Sequence, residues 1–139
     1  MNLVIEDDLK AVEAETYIMT HATNPLLSAP TIKGAIETYF KGVAQDRKDS
    51  LFTVNDFQTR FYRTDGTAVN HDPNALLRTQ DLEPWFEENS NLYIFTRDSF
   101  NETKARIGRN PILYSTPAME SADIDDTTSW RMAEIIALA

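Results

Sequence analysis

The chain has 139 residues, enough for one domain with a buried core, and 13 basic against 22 acidic residues give it a formal net charge of −9. That balance argues against nucleic acid or an anionic membrane as partner, and the lack of cysteine excludes disulfides, thiolate nucleophiles and thiolate zinc sites. No apolar run approaches the roughly 20 residues of a bilayer span. The amino end is acidic where a signal peptide is basic, so the expectation is a soluble, cytoplasmic protein.

In chain order, Met1 to Glu15 mixes Leu3, Val4, Ile5, Leu9 and Val12 with acids at helical spacing. Thr16 to Thr20 reads as a short strand, ended by the turn His21-Ala22-Thr23-Asn24-Pro25. Ser28 and Pro30 open a helix whose stripe is Ile32, Ala35, Ile36, Tyr39 and Phe40. A polar link, Asp46 to Ser50, leads into the strand Leu51 to Val54, and Phe57 to Tyr62 is expected as a further strand before the turn Asp65-Gly66. Val69 to Glu88 is polar, carries Pro73 and Pro84 and has no steady period, so it reads as a binding loop or partner contact. Asn91 to Thr96 is a strand, Ser99 to Lys104 a short helix broken at Gly108, and Ile112 to Tyr114 another strand. Beyond Asp126, a cap, Met132, Ile135, Ile136 and Ala139 repeat as a helical stripe. Trp85, Phe86 and Trp130 are expected to pack, with Trp85 and Phe86 as a dimer anchor if they are exposed. Strands alternating with helices indicate one α/β domain.

The triplet Asp123-Ile124-Asp125 stands out. In an extended segment alternate side chains share a face, so Asp123 and Asp125 present two carboxylates together. Such a pair suits Mg2+ on a nucleotide phosphate, because the ion keeps most of its waters and takes one or two carboxylates. The competing reading is that acids ahead of a helix serve as caps. Arg60, Arg63, Arg78, Arg97, Arg106 and Arg109 are the candidates for meeting an anionic ligand in so acidic a chain, against the alternative of a solvated surface.

A set of motifs in fixed order gives these residues a context. His21-Ala22-Thr23-Asn24-Pro25-Leu26-Leu27, Arg78-Thr79-Gln80-Asp81-Leu82, Glu87-Glu88-Asn89-Ser90-Asn91-Leu92-Tyr93-Ile94-Phe95, Arg106-Ile107-Gly108 and Asp123-Ile124-Asp125 span essentially the whole chain. Together they resemble the acylneuraminate cytidylyltransferases, which activate sialic acid and related 2-keto sugar acids as CMP conjugates. The resemblance implies a Rossmann-like α/β nucleotidyltransferase layer, Mg2+ dependence, and a homodimer with a dimerisation arm over about residues 69–118. It also implies attack of the sugar's anomeric hydroxyl on the α-phosphorus of CTP with loss of pyrophosphate. By the same resemblance Asp123 and Asp125 are the metal-binding, catalytic aspartates, Arg78 and Gln80 lie near the sugar acid, and Arg60 is a basic substrate contact.

Asn89 and Tyr93 match the family pattern Asn-Gly-Ala-Ile-Tyr-Ile, with Ser90-Asn91 replacing Gly-Ala. Asn89 then offers a donor and an acceptor to sugar hydroxyls, or forms a turn; Tyr93 contacts substrate, or packs. His21 stands where members often carry glutamine, as a polar substrate contact or a hydrogen-bonded structural histidine. The four glycines do not cluster, so the glycine-rich, basic CTP loop of the family has no counterpart, and the chain resembles the carboxy-terminal portion of a longer enzyme. The CTP-binding segment is then expected from elsewhere. The rival expectation is a non-catalytic dimerisation or sugar-acid-binding module derived from that family.

Overall fold

The computed structural model describes residues 2–139. Its elements are α1 (Asn2–Ala11), β1 (Thr16–Thr20), α2 (Ala29–Asp46), β2 (Ser50–Phe57), β3 (Trp85–Thr96), α3 (Arg97–Thr103), β4 (Pro111–Ser115) and α4 (Thr127–Ala137), with 3-10 turns at Thr79–Asp81 and Ala118–Glu120. The strands form one open sheet ordered β1-β3-β2-β4. β3 is antiparallel to β1 and to β2, and β2 is parallel to β4. Three strands therefore point one way and β3 alone runs against them. The expected α/β layer is present as a mixed sheet, not a wholly parallel one.

Side chains leave a strand alternately to its two faces, and β3 is apolar on both. Tyr93 and Phe95 pack with Ile5 and Leu9 of α1 and with Phe100 of α3. Leu92 and Ile94 pack with Leu51 and with Ala35 and Tyr39 of α2. Helices thus cover both faces, and each wholly buried Leu, Ile or Phe contributes about 1.5–3 kcal/mol. α2 starts where Ser28 caps the Thr31 N–H at 3.3 Å, and it ends at Arg47 in the left-handed region, φ 52°. Asp126 and Ser129 form a reciprocal capping box on α4, as the sequence suggested for Asp126.

Three expectations are corrected. Phe57 ends β2 instead of opening a strand of its own, because the β2–β3 ladder runs on to Phe57↔Trp85; beyond it the backbone makes only an isolated bridge, Tyr62↔Ala68. For the same reason Trp85 to Glu88 belong to β3 and not to a loop. On α4 the inward residues are Ala133, buried, and Ile136, half-buried, while Trp130, Met132 and Ile135 are each more than half exposed. Trp130 is not a packing residue within this chain.

The feature that shapes the rest is a break in the β2–β3 ladder. Phe52 pairs with Tyr93 and Val54 with Glu88, so one residue of β2, Thr53, faces the four residues Asn89 to Leu92. Thr53 fills the gap by accepting the Leu92 N–H at 2.9 Å on its hydroxyl oxygen. The loop is thrown out through Ser90 at φ 58°, a left-handed conformation that glycine adopts freely and that costs other residues about 1–2 kcal/mol. Ser90 occupies the place of the glycine in the Asn-Gly-Ala pattern.

Candidate functional site

β1, β2 and β4 end on the same side of the sheet, and open α/β sheets bind ligands beyond the carboxyl ends of such strands. At that end His21 follows β1, Asn55 lies near the end of β2, the bulge of β3 projects, and the segment after β4 carries Asp123 and Asp125. A cleft of about 280 Å3 is lined there by Asn55, Glu87, Glu88, Asn89, Ser90, Ser121, Asp123 and Asp125.

Several bonds fix the aspartate segment. The Ile124 N–H donates to the Thr23 carbonyl at 2.9 Å, tying the triplet to the turn after β1. Upstream, Glu120 accepts the Ser28 N–H and the Ser28 hydroxyl, each at 2.9 Å, at the amino end of α2, where a negative charge is favoured. Burial pushes the Glu120 carboxyl up, and the hydrogen bonds from the Ser28 N–H and from the Thr31 and Ser28 hydroxyls outweigh it, leaving its pKa below the ordinary value. From β3, the Asn91 amide donates to the Glu120 carbonyl at 3.0 Å, and the Asn89 amide reaches Thr116 Oγ1 at 2.7 Å and Asn55 Oδ1 at 3.0 Å. The bulge residues therefore anchor the acidic segment to the sheet.

Asp123 Oδ1 is buried and has no hydrogen-bond partner in the protein. Native proteins rarely leave a buried polar atom so, and a buried carboxylate oxygen is the costliest kind. Asp125 is exposed on the same cleft, and the cap on α4 is made by Asp126. The lining presents oxygen donors suited to a hard cation. Among the described residues no three His, Asp or Glu side chains converge as a metal cage. Two carboxylates that leave most of a coordination shell open fit Mg2+, which retains waters and shares its shell with phosphate.

Beside this cleft lies a second constellation. The Arg106 guanidinium sits 3.8 Å from the Tyr93 ring centroid, donates to Glu88 Oε1 at 3.1 Å through Nη2, and lies 3.1 Å from His21 Nε2 through Nη1. Arginine can only donate, so His21 Nε2 accepts and its proton resides on Nδ1. The Tyr93 hydroxyl donates to the same Glu88 oxygen and lies 3.2 Å from Ser90 Oγ. Burial first, and then the Glu88 carboxylate, push the Tyr93 phenol up to about 12, so it remains a neutral donor.

The structure brings Asp123, Asp125 and Asn89 to one cleft, with His21 and Tyr93 at its flank through Arg106 and Glu88. Tyr93 is wholly buried, and the Asn89 amide is occupied by protein partners. Arg60, Arg78 and Gln80 lie elsewhere, on the segment between β2 and β3. Arg78 is exposed and paired with Asp81 at 2.8 Å, Arg60 donates to the Leu77 carbonyl, and Gln80 is exposed. Glu88 carries no individual signal in the sequence, and Arg106 is one of six candidate arginines. Both stand inside motif segments, but their meeting with His21 depends on tertiary folding.

Among the described residues no helix is long and apolar enough to cross a membrane. A relative from Campylobacter coli, "Post-translational flagellin modification protein B", is 24% identical over 127 residues, covering 88% of this chain and 52% of its own length. The chain thus spans about half of that relative. A sequence model of the family described as Cytidylyltransferase matches residues 1–123, which takes in the turn after β1, the whole sheet, the β3 bulge, Arg106 and Asp123. The chain belongs to the cytidylyltransferase family.

Proposed function

We propose that this chain is the sugar-acid-binding and metal-binding portion of an enzyme that transfers CMP from CTP to a 2-keto sugar acid and releases pyrophosphate. The observation that carries the reading is the partnerless buried oxygen of Asp123 beside Asp125, on an oxygen-lined cleft at the carboxyl ends of the strands. Asp123 and Asp125 would hold Mg2+, which when bound neutralises charge on the α-phosphate as pyrophosphate leaves. The chain's own contribution is positional. The Asn89 and Asn91 anchors fix the aspartates against the bulge, Glu120 locks their segment to α2, and the Arg106 network shapes the flank.

The CTP-binding part belongs, in this reading, to a segment outside the one described, a reading supported by the chain's spanning about half of the relative's length. The substrate is an acidic sugar of the sialic or related nonulosonic type. A relative named for flagellin modification supports a product destined for protein modification. The working unit is a homodimer, supported by the exposure of the large apolar side chains Trp85 and Phe86, 37% and 49%. Arg60, Arg78 and Gln80, which lie off the cleft of their own chain, then serve the neighbouring site.

Pyrophosphate release with CTP, Mg2+ and N-acetylneuraminate tests the reading, using this chain alone and joined to the amino-terminal half of the Campylobacter coli relative. Turnover in the joined protein that is lost in Asp123→Ala supports it. Sugar binding with no turnover in either form points instead to a non-catalytic module.

A further inference from the structure

The cleft has four carboxylates in its lining, Glu87, Glu88, Asp123 and Asp125, and no basic residue. An anionic sugar approaching such a surface is repelled unless a cation meets it. A metal on the aspartates answers for the phosphates. Among the described residues the basic side chain bonded to a residue of the cleft is Arg106, through Glu88. Its side chain is only 19% exposed, and three contacts hold it in place: the Tyr93 ring face beneath, Glu88 Oε1 at one edge, and His21 Nε2 at the other. A guanidinium fixed in this way is preorganised to receive a carboxylate through paired N–H donors.

We propose that Arg106 is the specificity-determining residue for the acidic sugar, binding its carboxylate at the flank of the cleft, with Glu88 as the internal counter-ion that the ligand displaces. This rests on the reading of the chain as sugar-acid-binding. In the free protein Glu88 satisfies Arg106 and keeps the cation from standing unpaired. When the sugar carboxylate arrives, one anion replaces another on the guanidinium. Glu88 retains the Tyr93 hydroxyl as donor, and Tyr93 stays neutral because its pKa is near 12. A neutral sugar offers nothing to replace Glu88, so the site rejects it. His21, by accepting from Nη1, fixes the guanidinium plane.

The test measures binding to the 139-residue chain by titration calorimetry, with N-acetylneuraminate and its C1 amide as probes. The native chain is expected to prefer the acid by about tenfold or more, as sites built around a charged partner do. Arg106→Gln should bring the two probes to near equality by weakening the acid alone, and Glu88→Gln should strengthen the acid by removing its competitor. Because Arg106 links three elements, its variant also requires an unchanged near-ultraviolet dichroism spectrum. If Arg106→Gln fails to fold, side-chain 15N spectra of the native chain decide: the acid, and not the amide, must shift the Arg106 Nε–H resonance. An unchanged acid-to-amide ratio in folded Arg106→Gln, or an unmoved resonance while acid binds, overturns the role of Arg106 and leaves the sugar-acid reading standing. Failure of the native chain to bind the acid overturns that reading, and this proposal with it.

Discussion

Removing the Asp123 carboxylate should make the metal-free chain more stable. Its Oδ1 is buried with no protein partner, and an unsatisfied buried acceptor costs about 1–3 kcal/mol, more when charged. Asp123→Ala relieves that cost and lowers the negative charge of a cleft with three other carboxylates. For a chain of this length 1 kcal/mol moves the melting midpoint by about 3–5 °C, so the variant should melt about 3–15 °C higher in EDTA. Magnesium reverses the comparison. At a free concentration ten times Kd, a ligand bound only by the folded state adds about 1.4 kcal/mol, so the native chain should gain about 4–7 °C and the variant almost nothing. Differential scanning calorimetry in EDTA and in magnesium chloride, at one ionic strength, reads both effects. A variant that melts lower than the native chain in EDTA, or that responds equally to magnesium, refutes the argument.

Other outcomes follow from local geometry. Ser90→Val places a β-branched residue at φ 58° and should lower stability in urea by about 2 kcal/mol or more, whereas Ser90→Gly relieves backbone strain but loses a contact to the Tyr93 hydroxyl and should fall within about 1 kcal/mol of native. Ser28→Ala removes the cap of α2 and one bond to Glu120, for an expected loss of about 1–2 kcal/mol by urea unfolding. The Glu120 pKa is lowered in the fold, so its contribution is complete above the ordinary carboxyl range and is lost as pH falls through the lowered value; Glu120→Gln should flatten that acid limb of stability against pH. His21→Gln keeps an acceptor for Arg106 and should preserve sugar-acid binding, while His21→Leu should weaken it several-fold by calorimetry. Gly108→Ala would drive a Cβ into the Asp49 carboxylate, which holds the Arg109 and Asn110 N–H groups at 2.7 and 2.9 Å, and should cost about 1–3 kcal/mol.

What the sequence determined by itself is local. The Ser28 cap with Pro30 and the stripe Ala35 and Tyr39 specify α2, Leu92 to Phe95 specify a strand buried on both faces, and Asp126 specifies the start of α4, because each signal lies within a few residues of the structure it encodes. The motif order is likewise carried by the sequence, and it resembles that of the cytidylyltransferases. Tertiary structure alone decided the rest. Trp85 to Glu88 become strand only by pairing with Val54 to Phe57, and the register skips at Thr53 because a hydroxyl there completes a ladder that no local pattern announces. Exposure of Trp130 and Ile135 follows from which face of α4 turns inward with Ala133, a choice that spacing leaves open. His21, Glu88 and Arg106 meet because an antiparallel β3 lies beside β1 and returns Glu88 to the end where β1 stops. Hydrogen bonds between residues 18 and 85 positions apart depend on strand order, and strand order is settled by burial of the whole sheet.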